Sequence, residues 1–220
     1  MFVSIMGDSI STYQGYNPEG YAVFYDGVNQ RRNDMHSVYD TWWAKINQAL
    51  NAYLCVNNSY SGSRVSGNAF PSACCGERTT CLHTSQYTPD VILIYMGVND
   101  FGNGVPIKSR NLFNKNAFTF EYAYRVMLSR IKKQYPNSRI ICSTLMRSTI
   151  KGYDEWEFPE YLAGVSFEDY NIAIRNACSS KKCEVVDIAA LNMRYETLDG
   201  VHPTAVGHSM MAEAWMQLLT

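Results

Sequence analysis

No stretch of the 220-residue chain approaches the roughly 18 consecutive apolar residues that cross a bilayer, so no transmembrane helix is encoded. An excess of charge of either sign is also missing: 19 Lys and Arg stand against 20 Asp and Glu, a net charge of −1. That removes nucleic acid and anionic lipid as default partners, since both call for a basic face. There is no C-x-x-C pair. His36, His83, His202 and His208 show neither H-x-x-x-H nor H-E-x-x-H spacing. Neither feature of a zinc site is present, and no metal is expected. No repeat, low-complexity tract or Pro/Gly/Ser-rich linker divides the chain, so residues 1–220 read as one domain. The opening Met-Phe-Val-Ser-Ile-Met-Gly has no charged n-region and no secretory h-region. A cytoplasmic location is the expectation, with secretion the alternative if a leader has been trimmed.

What is present describes a globular protein. The hydrophobic fraction of 46% is ordinary and the net charge small, which disfavours disorder. Sixteen Tyr and seven Cys stand out. Seven is odd, so at least one thiol is unpaired in a monomer. Cys55 and Cys142 sit in apolar, strand-like runs and read as small core residues. Reduced thiols are the expectation, because a Cys178–Cys183 or Cys75–Cys81 bridge would need an oxidising compartment.

Five short runs crowded with Val, Ile and Leu read as strands buried on both faces: Phe2–Met6, Ala52–Val56, Asp90–Met96, Arg139–Leu145 and Cys183–Ile188. Helical spacing of apolar residues marks Ser37–Leu50, Thr119–Tyr135, Ser166–Ser179 and Thr204–Leu219. Ser166 and Asp169 form an S-x-x-D capping pattern. Strand alternating with helix implies an α/β fold, a parallel sheet between helical layers with right-handed crossovers. Three long segments break the alternation: Gln14–His36, Ser63–Pro89 and Met146–Val165. Each follows a strand and its first turn, at the carboxyl edge where open α/β sheets bind ligands.

Three motifs fall at that edge. The first strand runs into Gly7-Asp8-Ser9, the third ends in Gly97-Val98-Asn99-Asp100, and Asp199-Gly200-Val201-His202-Pro203 precedes the last helix. Taken singly, each has a structural reading: Ser9 or Asp8 as a helix cap, the Asn-Asp pair as a turn, Asp199 as a cap and His202 as a satisfied surface histidine. Their joint occurrence by chance in this length is below about one in a thousand at ordinary residue usage. Together they supply what acyl transfer needs. A Ser hydroxyl requires a neutral imidazole to take its proton. The imidazole requires a carboxylate to fix its tautomer. The tetrahedral oxyanion requires aimed donors. Ser9, His202, Asp199 and Asn99 fill those places, and Gly62, after the second strand in Asn58-Ser59-Tyr60-Ser61-Gly62, is the candidate for a backbone donor.

These blocks resemble, in order, those of the SGNH or GDSL hydrolases. Gly7-Asp8-Ser9-Ile10 matches the first, with Ile10 where many members have Leu. Asn58–Gly62 is the weakest match, with Gly67 as a fallback. The blocks at Gly97–Asp100 and Asp199–Pro203 complete the set. The resemblance implies a flavodoxin-like three-layer α/β/α sandwich, its five-stranded parallel sheet in the order 2-1-3-4-5. It implies Ser9 as nucleophile, His202 as base and Asp199 as its orienting acid. The oxyanion hole would be the Ser9 and Gly62 N–H groups with the Asn99 side chain. No cofactor is expected. The G-x-S-x-G elbow of the α/β-hydrolases is absent, and their nucleophile does not sit on the first strand.

The partner expected is a small-molecule ester. The long segments, with Tyr13 directly before the first, hold Tyr16, Tyr21, Phe24, Tyr25, Tyr87, Tyr153, Trp156, Phe158 and Tyr161, with few of the Leu, Ile, Val and Met of a fatty-acyl tunnel. Aromatics with polar tips suit stacking on sugar rings, so a short acyl group, acetyl first, on a carbohydrate or similar polar alcohol is expected. Packing of those rings onto the body is the other use for them. Arg31, Arg32 and Arg64 are candidates to hold an anionic substrate group. The alternatives are a lysophospholipase- or thioesterase-type acyl hydrolase, and a non-catalytic carbohydrate-binding relative. His208 is expected on the last helix as a surface or packed residue.

Overall fold

The apolar runs lie side by side in a computed structural model that describes residues 1–27, 33–108 and 116–219. In chain order the strands are β1 (Phe2–Gly7), β2 (Tyr53–Asn57), β3 (Val91–Tyr95), β4 (Arg139–Ser143), β5 (Arg147–Ile150), β6 (Tyr161–Leu162), β7 (Val165–Ser166), β8 (Glu184–Val186) and β9 (Arg194–Thr197). The helices are α1 (Trp42–Ala49), α2 (Gly76–Thr80), α3 (Val98–Gly102), α4 (Phe120–Gln134), α5 (Phe167–Lys181) and α6 (Ala205–Leu218). The main sheet is parallel in the order β2-β1-β3-β4-β8, which is the expected 2-1-3-4-5. It forms the middle of an α/β/α sandwich. Every residue of β3, the central strand, is buried.

Right-handed crossovers send the β1-to-β2 connection to one face and the β2-to-β3, β3-to-β4 and β4-to-β8 connections to the other. Accordingly α1 packs with α6, and α4 packs with both α5 and α2. Trp42 of α1 stacks on Trp215 of α6, with ring centroids 5.2 Å apart. The capping box predicted at Ser166 and Asp169 is formed at the start of α5. Phe167, Tyr170, Ile174 and Ala177 face inward as their spacing requires.

The differences have local causes. The segment expected as one helix from Ser37 begins as a 3-10 turn at Val38–Asp40, and Thr41 re-caps the chain by accepting from the Ala44 N–H. The last sheet strand is shorter than its apolar run because Ile188 opens another 3-10 turn. The segment Met146–Val165 carries a strand: β5 pairs in parallel with β9 as a second small sheet. On α6 the buried stripe runs through Gly207, His208, Met211 and Trp215, while Val206 is exposed. All seven cysteines are free thiols, and no helix among the described residues is long and apolar enough to cross a membrane.

His208 is fully buried beside Tyr25, and its Nδ1 accepts the Trp42 N–H at 3.2 Å. Burial pushes its pKa down to about 3. In the unfolded chain a histidine takes its proton near pH ~6.5. Between those values only the unfolded state gains the proton, so stability falls as the pH drops through that window. One proton contributes at most about 1.4 kcal/mol per pH unit. His208→Asn, whose amide oxygen can accept in place of Nδ1, is expected to flatten the acid limb of a melting-temperature curve. Parallel curves for the two proteins would contradict this.

Candidate active site

Ser9 stands where β1 ends. Asp8 caps the following 3-10 turn through Oδ1, which accepts the Ile10 N–H at 3.0 Å. Gly7 is required by space: a Cβ there would lie 2.4 Å from Ser11 Oγ and 2.9 Å from Ser59 Oγ. Burial pushes Asp8 up to about 6, against the pull of the Ile10 N–H.

The Asp199–His202 turn is held from several sides. Asp199 Oδ1 accepts the Val201 N–H at 3.0 Å and the His202 N–H at 2.8 Å, the local bonding that favours Asp in turns. Gly200 occupies the left-handed region at φ +93°, with the Trp156 ring 3.0 Å from where a Cβ would stand. Ser148 donates to the Gly200 carbonyl, Tyr195 to that of Val201, and Tyr25 to that of Pro203. The β5–β9 pair and the loop from the first strand thus fix this turn.

The result is a continuous relay. His202 Nε2 lies 3.0 Å from Ser9 Oγ, and His202 Nδ1 lies 2.7 Å from Asp199 Oδ2. With Nδ1–H given to the carboxylate, Nε2 is left as an acceptor facing the serine hydroxyl. Burial pushes the Asp199 carboxyl up, but the hydrogen bonds from the His202 ring and N–H outweigh it and hold the pKa at about 2. Asp199 therefore stays ionised through the neutral and mildly acidic range. The Phe24 ring stacks on the His202 imidazole, with centroids 3.5 Å apart and planes 3° from parallel.

The remaining blocks lock together next to Ser9. Asn99 donates one amide hydrogen to the Ser63 carbonyl at 3.0 Å, which leaves the second donor of its NH₂. Among the described residues the Ser9 and Gly62 N–H groups have no acceptor. Gly67, the fallback, gives its N–H to Ala117 O. Asp100, which had read only as a turn former, is buried and accepts the Val65 N–H at 2.7 Å and the Ser66 N–H at 3.0 Å. It clamps the Gly62 loop to the start of α3.

The aromatic residues divide. Trp156 and Phe158 join Val98, Phe101, Met146 and Val201 around an apolar recess of about 240 Å³ that reaches Asp199. Tyr13 and Tyr25 are buried as packing residues. Tyr87 leaves the cleft altogether: it stacks on Phe2, at the opposite end of β1, at 4.2 Å. Arg64 lines a separate, more polar hollow with Gly62 and Asn68. Arg31 and Arg32 lie outside the described residues.

The chain matches the GDSL-like lipase/acylhydrolase family over residues 1–155. It belongs to that family. Asp199 and His202 lie beyond the matched span. A multidomain esterase of Ruminococcus flavefaciens is 25% identical, and the match covers 72% of this chain and 20% of that protein. The chain thus spans about a fifth of that relative's length. Among solved structures, a GDSL-like lipase from Bacteroides uniformis superposes with a TM-score of 0.74 at 24% identity, covering 99% of this chain and 94% of the other. An acetyl xylan esterase from Geobacillus stearothermophilus gives a TM-score of 0.61 at 20% identity, covering 98% and 93%. At these identities the structural matches speak for the fold.

Proposed function

We propose that the chain is a serine esterase acting through an acyl-enzyme on Ser9. The observation that carries this reading is the unbroken Ser9–His202–Asp199 relay, with contacts of 3.0 Å and 2.7 Å. In this scheme His202 Nε2 takes the Ser9 proton as Oγ attacks the ester carbonyl. Asp199 holds the ring and stabilises the imidazolium. The new oxyanion is met by the Ser9 and Gly62 N–H groups and the free Asn99 amide hydrogen, each donor worth roughly 10²–10³ in rate. His202 passes its proton to the departing alkoxide, takes another from the water that attacks the acyl-enzyme, and returns that one to Ser9 Oγ as the acid leaves. A non-catalytic carbohydrate-binding relative would have no use for the complete relay.

The substrate proposed is a short-chain ester, acetyl first, of a carbohydrate or similar polar alcohol. The half-buried rings of Phe24, Trp156 and Phe158 by the relay suit stacking on sugar faces. The acetyl xylan esterase among the structural neighbours points the same way. One observation favours a second reading: the recess of about 240 Å³ beside Asp199 is larger than an acetyl group needs and is lined by apolar side chains. If it takes the acyl group, each added methylene raises kcat/KM by about fourfold, from the ~0.8 kcal/mol of burying one CH₂. Rates with p-nitrophenyl acetate, butyrate and octanoate, beside acetylated sugars, separate the two. A fall from acetate onward with turnover of the sugar esters supports the first reading. A rise through butyrate with no sugar-ester turnover would replace it with the second.

A further inference from the structure

We infer that Arg78 is a positioning residue for the oxyanion hole, holding the nucleophile turn and the Gly62 loop in one frame and setting positive charge behind both. The inference rests on the assignment of the Ser9 and Gly62 N–H groups as oxyanion donors. Arg78 is completely buried on α2, a five-residue helix in the segment between β2 and β3. Burying a guanidinium is costly unless its donors are satisfied. Among the described residues no carboxylate lies within ion-pair distance of it.

Three of its four hydrogen bonds go to the two blocks that would bind the oxyanion. Nη2 donates to the Gly7 carbonyl at 2.9 Å and to the Asn58 carbonyl at 2.8 Å. Nε donates to Asn58 Oδ1 at 2.7 Å, and Nη1 to the Pro71 carbonyl at 2.6 Å. Gly7 lies two residues before Ser9, and Asn58 opens the block that ends at Gly62. The Tyr60 N–H bonds the same Gly7 carbonyl at 3.2 Å, so one planar fork joins the ends of β1 and β2 at the point where the two backbone donors must converge.

A lysine could not replace it, because an ammonium is a point charge without the fixed fork. Burial lowers the Arg78 pKa to about 10, which still leaves the side chain charged at neutral pH. A fixed cation in a water-poor interior is felt more strongly than one in solvent. Its role follows from its burial and from what it bonds: it acts through the carbonyls and the Asn58 side chain it holds, and through its charge.

The test is Arg78→Lys and Asn58→Ala in the full chain, with folding checked by circular dichroism. Asn58→Ala leaves the buried guanidinium in place but removes the acceptor of Nε. Both are compared in steady-state ester hydrolysis and in binding of phenylboronic acid, whose tetrahedral adduct with a serine mimics the oxyanion. The expected result for Arg78→Lys is a kcat about 10²-fold lower with KM within about threefold, the scale of one lost oxyanion donor. Boronate affinity should fall in proportion to kcat/KM. Asn58→Ala should lose about tenfold with the same proportionality, and it decides alone if Arg78→Lys does not fold. A purely structural residue would lower the melting temperature without that split between kcat and KM. If folded variants keep kcat and boronate affinity within about threefold while Ser9→Ala is inactive, the role of Arg78 is overturned and the Ser9 reading stands. If Ser9→Ala itself retains turnover, the underlying reading has failed.

Discussion

Ser9→Ala is expected to lower kcat by about 10⁶-fold, the scale of loss when a serine nucleophile is removed from a preorganised triad. The fold should be untouched. Among the described residues the Ser9 side chain bonds only His202, and the turn around it is kept by Asp8 accepting from Ile10 and by Thr12 donating to the Ser9 carbonyl. Melting temperature and circular dichroism should therefore match those of the parent chain. The small residual rate that remains comes from the oxyanion donors and from substrate binding. Steady-state hydrolysis of p-nitrophenyl acetate measures it. A loss of less than tenfold would mean that water attacks the ester directly, or that another group is the nucleophile.

Asp199→Asn should cost about 10⁴-fold in kcat while leaving the geometry of the turn in place. The amide oxygen can still accept the Val201 and His202 N–H groups that Oδ1 now receives. Its NH₂, however, would face His202 Nδ1, where the carboxylate accepts at 2.7 Å. The ring would then carry its hydrogen on Nε2 and could not take the proton of Ser9. Because Asp199 is held at about 2, it stays ionised down to strongly acidic pH, so loss of activity on mild acidification must come from another group. The expected sign is a fall in kcat/KM as the pH drops, because the mechanism needs a neutral imidazole to take the Ser9 proton. A loss of only a few-fold in the variant, or a pH profile flat down to about pH 4, would remove the carboxylate–imidazole pair from the mechanism.

The central strands were legible because β1, Val91–Tyr95 and β4 are largely buried and so read as unbroken apolar runs, while the order of the sheet followed only from the family resemblance. The Asp199–His202 pair was legible for a local reason: four residues are enough to place both side chains on one side of a turn. What escaped is what depends on contacts remote in sequence. β5 and β9 are four residues each, with polar or charged side chains in Arg-Ser-Thr-Ile and Arg-Tyr-Glu-Thr. No periodicity marks them, and they exist because they pair with each other. Arg78 is one basic residue in a Cys- and Gly-rich segment, and only the folded chain shows four acceptors around it. Tyr87 was misplaced because a long loop leaving the carboxyl edge must return to start the next strand. That return carries it to Phe2, at the far end of the sheet.

The covalent step can be observed directly. Rapid quenching of the chain with p-nitrophenyl acetate, followed by peptide mass mapping, should find one added acetyl group on the peptide containing Ser9. Its appearance should keep pace with the first burst of nitrophenol, and it should be absent from Ser9→Ala. An acetyl group on any other residue at a kinetically competent rate, or steady turnover with no burst and no adduct even when deacylation is slowed at acid pH, would contradict Ser9 as the nucleophile.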